Sequence, residues 1–245
     1  MPEETTQTGS AQVDHQPLDR YRRLCFFVIV CIYIPAIQQA LALFLPVTVY
    51  PVRVSIALFS EWSLFGLIFF LLSIEGLKPR DIWFGSDHIV REVLLGLVLV
   101  VIFWSLVWLI LGHLAFLRSL PGVSNLVPAT TPTRIFSFNV PPLTWNAALV
   151  FCFAITAGIC EETVFRGYLL SRALKLIPNK FVAVPFALLV SSIFFGLLHL
   201  PAGTGMFVVS SFGGLCCTVL VLWRRDLTSA IVAHTLFNIQ GWYLG

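Results

Sequence analysis

Seven apolar runs follow one another along this chain, over residues 24–45, 54–74, 92–117, 143–161, 181–200, 204–223 and 227–244. Most reach the ~17–25 residues that a helix needs to cross a bilayer. A backbone in lipid must satisfy its own hydrogen bonds, and a helix does so within a single segment. The expected fold is therefore all-α, a polytopic membrane protein of about seven transmembrane helices. The fourth run is interrupted by polar residues and the seventh is short, so these two are the weakest members of the count. Composition agrees with lipid as the main solvent. Residues AVILMFWYC make up 58% of the 245, and exchanging the 5 Tyr for the 16 Gly brings the figure to about 62%, against ~45–50% in soluble domains. Charged residues are 11%, against ~25%. A chain of this size cannot hide so much apolar surface from water. A soluble globule, a disordered protein and a nucleic-acid binder are all poor readings.

Orientation follows from Lys and Arg in the connections. With the N-terminus in the cytoplasm, the inside groups are Arg20, Arg22, Arg23, Lys78, Arg80, Arg91, Arg166, Arg172, Lys175, Lys180, Arg224 and Arg225. Only Arg53, Arg118 and Arg134 fall outside. Residues 1–23 are polar and read as a disordered cytoplasmic tail. Residues 24–142 hold the N-terminal helices and, over 118–142, an external loop with five prolines. Residues 143–245 hold a C-terminal four-helix core. Ala40-Leu41-Ala42 fits a signal-peptidase site. The long polar leader and the interruptions at Pro35, Gln38 and Gln39 favour an uncleaved span. The six cysteines, Cys25, Cys31, Cys152, Cys160, Cys216 and Cys217, lie in apolar runs without C-x-x-C spacing and read as small hydrophobes.

Ionisable residues inside a span cost several kcal/mol on insertion scales and are functional candidates by default. Three clusters stand out. Glu161-Glu162-Thr163-Val164-Phe165-Arg166 ends the fourth run. Glu162 and Arg166, four apart, share a helix face and can pair; Glu161 is rotated away by about 100° and has no obvious local partner. Phe195 and His199 share a face near the end of the fifth run. His234 and Asn238 share a face of the last. Each cluster has a plain structural reading: a charged helix end, an interfacial histidine, an interhelical hydrogen bond. Together they are less easily dismissed. If 143–176 is one helix and Pro178-Asn179-Lys180 turns into the next, Glu161 and His199 both lie ~25–30 Å from that turn. His234 lies ~12 Å from the turn at Arg224-Arg225-Asp226. All three can converge in the cytoplasmic half of the membrane. Glu61, about two turns into the second span, is expected near the outer surface as a local hydrogen-bond partner, with little influence on catalysis. His15, His88 and His113 carry no site role.

In this order, Glu161-Glu162-x-x-x-Arg166, Phe195-x-x-x-His199 and His234-x-x-x-Asn238 resemble the three motifs of the CPBP (ABI) family. These are the CAAX-protease and bacteriocin-processing intramembrane endopeptidases, which include prenyl-protein proteases. The resemblance covers 143–245, and the N-terminal half adds nothing to it. It implies a metal-free, glutamic-type enzyme with no cofactor, in which Glu161 and His199 activate water and His234 and Asn238 form an oxyanion hole. The residues themselves allow the same chemistry: a carboxylate and imidazole for proton transfer, two donors for the oxyanion, and Glu162, Arg166 and Phe195 in support. The partners implied are a membrane-associated protein or peptide substrate and the bilayer, with no nucleic acid. Prenylated substrates are one client type of the family and do not follow from these motifs. Two other readings stay open. Glu161, Glu162, His199 and His234 could ligate zinc, although no H-E-x-x-H helix is present. The polar cluster could instead belong to a non-catalytic scaffold, an immunity-type protein or a transporter.

Overall fold

The computed structural model describes residues 50–119, 146–200 and 203–244, together with Arg22, Cys25 and Ile29. The described chain is helical throughout, without strands. Helix α1 spans Tyr50–Ile74 and α2 spans Ile89–Ser119, with a 3-10 turn at Pro79–Ile82 between them. Helix α3 (Asn146–Glu162) runs without a break through a π-helical segment, Thr163–Leu169, into Leu170–Leu176. Then come α4 (Lys180–His199), α5 (Thr204–Arg224) and α6 (Thr228–Leu244). Helices in α1, α2, α4 and α5 are long and apolar enough to cross a membrane, over Ser55–Ile74, Ile89–Ile110, Lys180–His199 and Thr204–Arg224. The fourth and seventh apolar runs become α3 and α6, of 17 residues each. The tail, nearly all of the first run, the Ala40-Leu41-Ala42 site and most of the 118–142 loop lie outside the described residues.

The helices end where local chemistry ends them. Asn179 caps α4, its side chain accepting from the Phe181 N–H at 2.9 Å. Arg225 takes a left-handed conformation after α5, φ 57°, and its N–H bonds to the Val221 carbonyl. Asp226 then accepts from the Thr228 N–H at 2.7 Å to start α6. Large apolar side chains such as Phe59, Val101, Trp108, Phe181 and Trp223 are exposed. A soluble monomer would not tolerate so much of this surface. Lipid accounts for it.

Small residues let the helices approach closely, the usual device where no hydrophobic effect drives association. A Cβ at Gly96 on α2 would stand 2.6 Å from the Ser229 carbonyl of α6. One at Gly158 on α3 would overlap Thr235 Oγ1 and come within 3.1 Å of the Ile231 carbonyl on α6. One at Gly196 on α4 would overlap Ser211 on α5. Two apolar clusters fill the interior. One gathers Leu64, Ile68, Leu72, Ile82, Phe165 and Phe195. The other gathers Val100, Leu170, Ala187, Val221 and Ala233.

Buried polar ties join the connections at one end. Arg172 pairs with Glu75 at 2.7 Å, and Tyr168 donates to Glu75 at 2.7 Å. Arg224 pairs with Glu92 at 2.9 Å. The Leu227 N–H donates to the Trp83 carbonyl. The segments after α1, after the π-helical stretch and after α5 therefore share one end of the molecule.

Candidate active site

Glu161 and Glu162 close α3, and Arg166 sits in the middle of the π-helical segment, every residue of which is buried. A π turn is wider than an α turn and is frequent at functional sites. Phe165 bridges this segment to α4, since its carbonyl accepts from Ser191 Oγ at 3.2 Å. The expected Glu162–Arg166 pair forms at 2.8 Å, with both side chains fully buried.

His234 of α6 completes that pair. Its Nδ1 lies 2.8 Å from the same Glu162 oxygen that accepts from Arg166. Its Nε2 lies 3.8 Å from Glu161 Oε2. One imidazole thus faces both glutamates. With Glu162 as acceptor, Nδ1 is the donor and Nε2 is turned toward Glu161. The orientation is like that of a histidine held by a buried carboxylate in a hydrolytic triad. Gly158, one turn before Glu161, permits the close approach of α3 and α6 that makes it possible.

The Phe195 ring is the point on which the three motifs meet. The Arg166 guanidinium lies 4.1 Å from its centroid, a buried cation–π contact. The rings of His199 and His234 lie 4.9 and 5.3 Å from it, the second edge-on. Gly214 on α5 leaves room for Arg166, because a Cβ there would stand 2.8 Å from its NH2 and 3.0 Å from the Phe195 ring.

His199, at the end of α4, is half-buried, and its Nδ1 donates to the Phe195 carbonyl at 3.0 Å. A carbonyl only accepts, so the neutral ring keeps its Nε2 lone pair free. Among the described residues His199 makes no hydrogen bond to Glu161; the imidazole beside Glu161 is His234. Asn238 is half-buried one turn beyond His234 on α6. Among the described residues no three His, Cys, Asp or Glu side chains are grouped to hold a metal ion.

Glu61 is placed differently from the expectation. It is buried, and its carboxyl is within hydrogen-bonding reach of Glu161. The difference comes from where the helix starts. Helix α1 begins at Tyr50, not near 54, so Glu61 lies near the middle of a 25-residue helix, level with the site. The only sequence signal for this was a carboxylate in an otherwise apolar run.

A comparison with family models gives a match over the part of the chain that carries most of these residues. Residues 143–240 match the Rce1-like family model, type II CAAX prenyl endopeptidase. The matched segment contains all three motifs. Neither the curated proteins nor the solved structures yield a match. The Rce1-like match takes in α3 and most of α6 and leaves α1 and α2 outside, although Glu61 of α1 touches Glu161.

Proposed function

We propose that the protein is an intramembrane, glutamic-type endopeptidase that cuts a membrane-associated protein or peptide. The observation that carries this reading is the convergence of Glu161, Glu162, Arg166, Phe195 and His234 within a segment of protease family. Glu161, assisted by the free Nε2 of His199, takes one proton from a water; the hydroxide adds to the scissile carbonyl carbon, and the proton passes to the amine as the C–N bond breaks. His234, held by Glu162, and Asn238 donate to the tetrahedral oxyanion from one face of α6. Nε2 of His234 is the nitrogen left for the oxyanion, because Nδ1 is held by Glu162. Glu162 and Arg166 hold the imidazole and the helix end in place. No step is assigned to a metal.

The twelve-to-three distribution of Lys and Arg supports seven spans, with a cytoplasmic N-terminus and the site in the cytoplasmic half of the bilayer. The tail at 1–23, the helices and loop of 24–142 and the catalytic core of 143–245 are the domains of this reading. The shared end of the three basic connections agrees with it.

The test is cleavage by purified protein in detergent, using substrates found as uncut membrane proteins in cells carrying Glu161→Gln. This isosteric change should lower kcat by several orders of magnitude while the protein stays folded. More than about a tenth of wild-type turnover would be incompatible with the loss of a general base. Cleavage should continue in EDTA. Loss on chelation and recovery with zinc would replace this mechanism by a zinc-dependent one.

A further inference from the structure

Three carboxyl groups, a guanidinium and two imidazoles meet in the buried site. From α3 come Cys160, Glu161, Glu162 and Arg166; from α6, His234; from α4, His199; and from α1, Glu61. Glu162 has Arg166 and His234 as direct partners, each at 2.8 Å. His199 spends its Nδ1 on a backbone carbonyl and brings no charge as a neutral ring. Arg166 brings one permanent positive charge to three buried carboxyl groups, and three carboxylates there would leave a large uncompensated charge, so at least one carboxyl carries a proton. Glu61 is 5% exposed and Glu161 8%, and the two are hydrogen-bonding neighbours. Two adjacent carboxylates in such a place cannot both ionise at tolerable cost. Two carboxyl oxygens also meet favourably only when one of them carries a hydrogen. Neither Glu61 Oε2 nor Glu161 Oε2 has a hydrogen-bond partner among the described residues, and of the two it is Glu161 Oε2 that has the imidazole of His234 at 3.8 Å.

We infer that Glu61, from outside the family match, is a positioning residue for Glu161: the two carboxyl groups share one proton, held on Glu61, whose hydrogen bond fixes the Glu161 carboxylate for its work on water. The catalytic consequence rests on the endopeptidase reading; the shared proton does not. Glu61 does not touch substrate in this scheme. It acts by restricting the carboxylate that does, and small displacements of such a group cost about 10²-fold in rate.

Infrared spectroscopy of the purified full chain in detergent separates the two parts. The wild type should show a carboxylic-acid C=O stretch that Glu61→Gln lacks. Equal protonated-carboxyl intensity in the two proteins would overturn the proposal, whatever their activity. The rate test uses two variants of similar size. The carboxamide of Glu61→Gln still donates to Glu161 and should keep most of the turnover. Glu61→Leu has no donor and should lose about 10²-fold in kcat with KM within twofold. A folded Glu61→Leu with wild-type kcat would refute the positioning role. If Glu61→Leu does not fold, the infrared comparison of wild type with Glu61→Gln still decides the shared proton. If wild type cleaves no substrate at all, the endopeptidase reading fails, and the infrared result stands independently.

Discussion

Arg166 and Phe195 show how few contacts hold the site. The guanidinium is fully buried, bonded to Glu162 on one edge and lying 4.1 Å from the Phe195 centroid. Arg166→Ala would leave Glu162 buried with His234 as its remaining partner, and breaking a buried pair costs about 3–5 kcal/mol. Phe195→Leu would keep the volume roughly and lose the ring, for about 2 kcal/mol of desolvated cation–π attraction. Chemical unfolding in detergent should therefore rank Arg166→Ala below Phe195→Leu, and both below wild type. Equal stability of Phe195→Leu and wild type would mean that the ring does not hold the guanidinium. The Glu162–Arg166 pair was legible in the sequence because four residues make one helical face. The His234–Glu162 bond was not, since the residues lie 72 apart and only packing brings them together. The same holds for Glu61. Its run shows no periodicity that could betray the height or the partner of a single carboxylate.

At the scale of elements, the positions and order of six of the seven runs could be read from hydropathy, because lipid rewards uninterrupted apolar segments. What hydropathy does not encode is contact. Gly158 is an unremarkable residue in the run 143–161, yet it sets the spacing of α3 and α6. Gly158→Val should push the helices apart, cost about 1–3 kcal/mol as overpacking does, and lower kcat by widening the 2.8 Å contact between Glu162 and His234. Gly66 on α1 is the control. A Cβ there meets nothing within 4 Å, and Gly66→Ala should be neutral or slightly stabilising. Thermal midpoints and turnover of the two variants check this, and a Gly158→Val protein as stable and active as Gly66→Ala would show that the approach is not needed. The π-helical segment was equally hidden. Its sequence, Thr163–Leu169, contains no proline or other breaker, and the widening is visible only in the backbone.

For the whole molecule, the charge distribution and the ties at one end make a joint prediction about topology. The segments around Glu75, Arg172 and Arg224 lie together, so they must face the same compartment. A reporter fused after Lys175 should be cytoplasmic and one inserted near Ser124 external. Reversal of both would overturn the orientation, and agreement of only one would overturn the count of spans. The fold class was legible because the bilayer imposes it. The contribution of the N-terminal half to the site was not, because the recognisable motifs all lie in 143–245.

Arg172 gives that division a further consequence. It is 2% exposed, and its counter-charge, Glu75, lies just beyond α1, outside the matched segment. The segment that the family model matches is therefore not a transplantable module. In a chimera, a new N-terminal half would have to bring an acid to the place of Glu75, and a hydrogen-bond donor to the place of Glu61. Selection on this chain must then act across the boundary, so that compensating changes in relatives should pair 75 with 172.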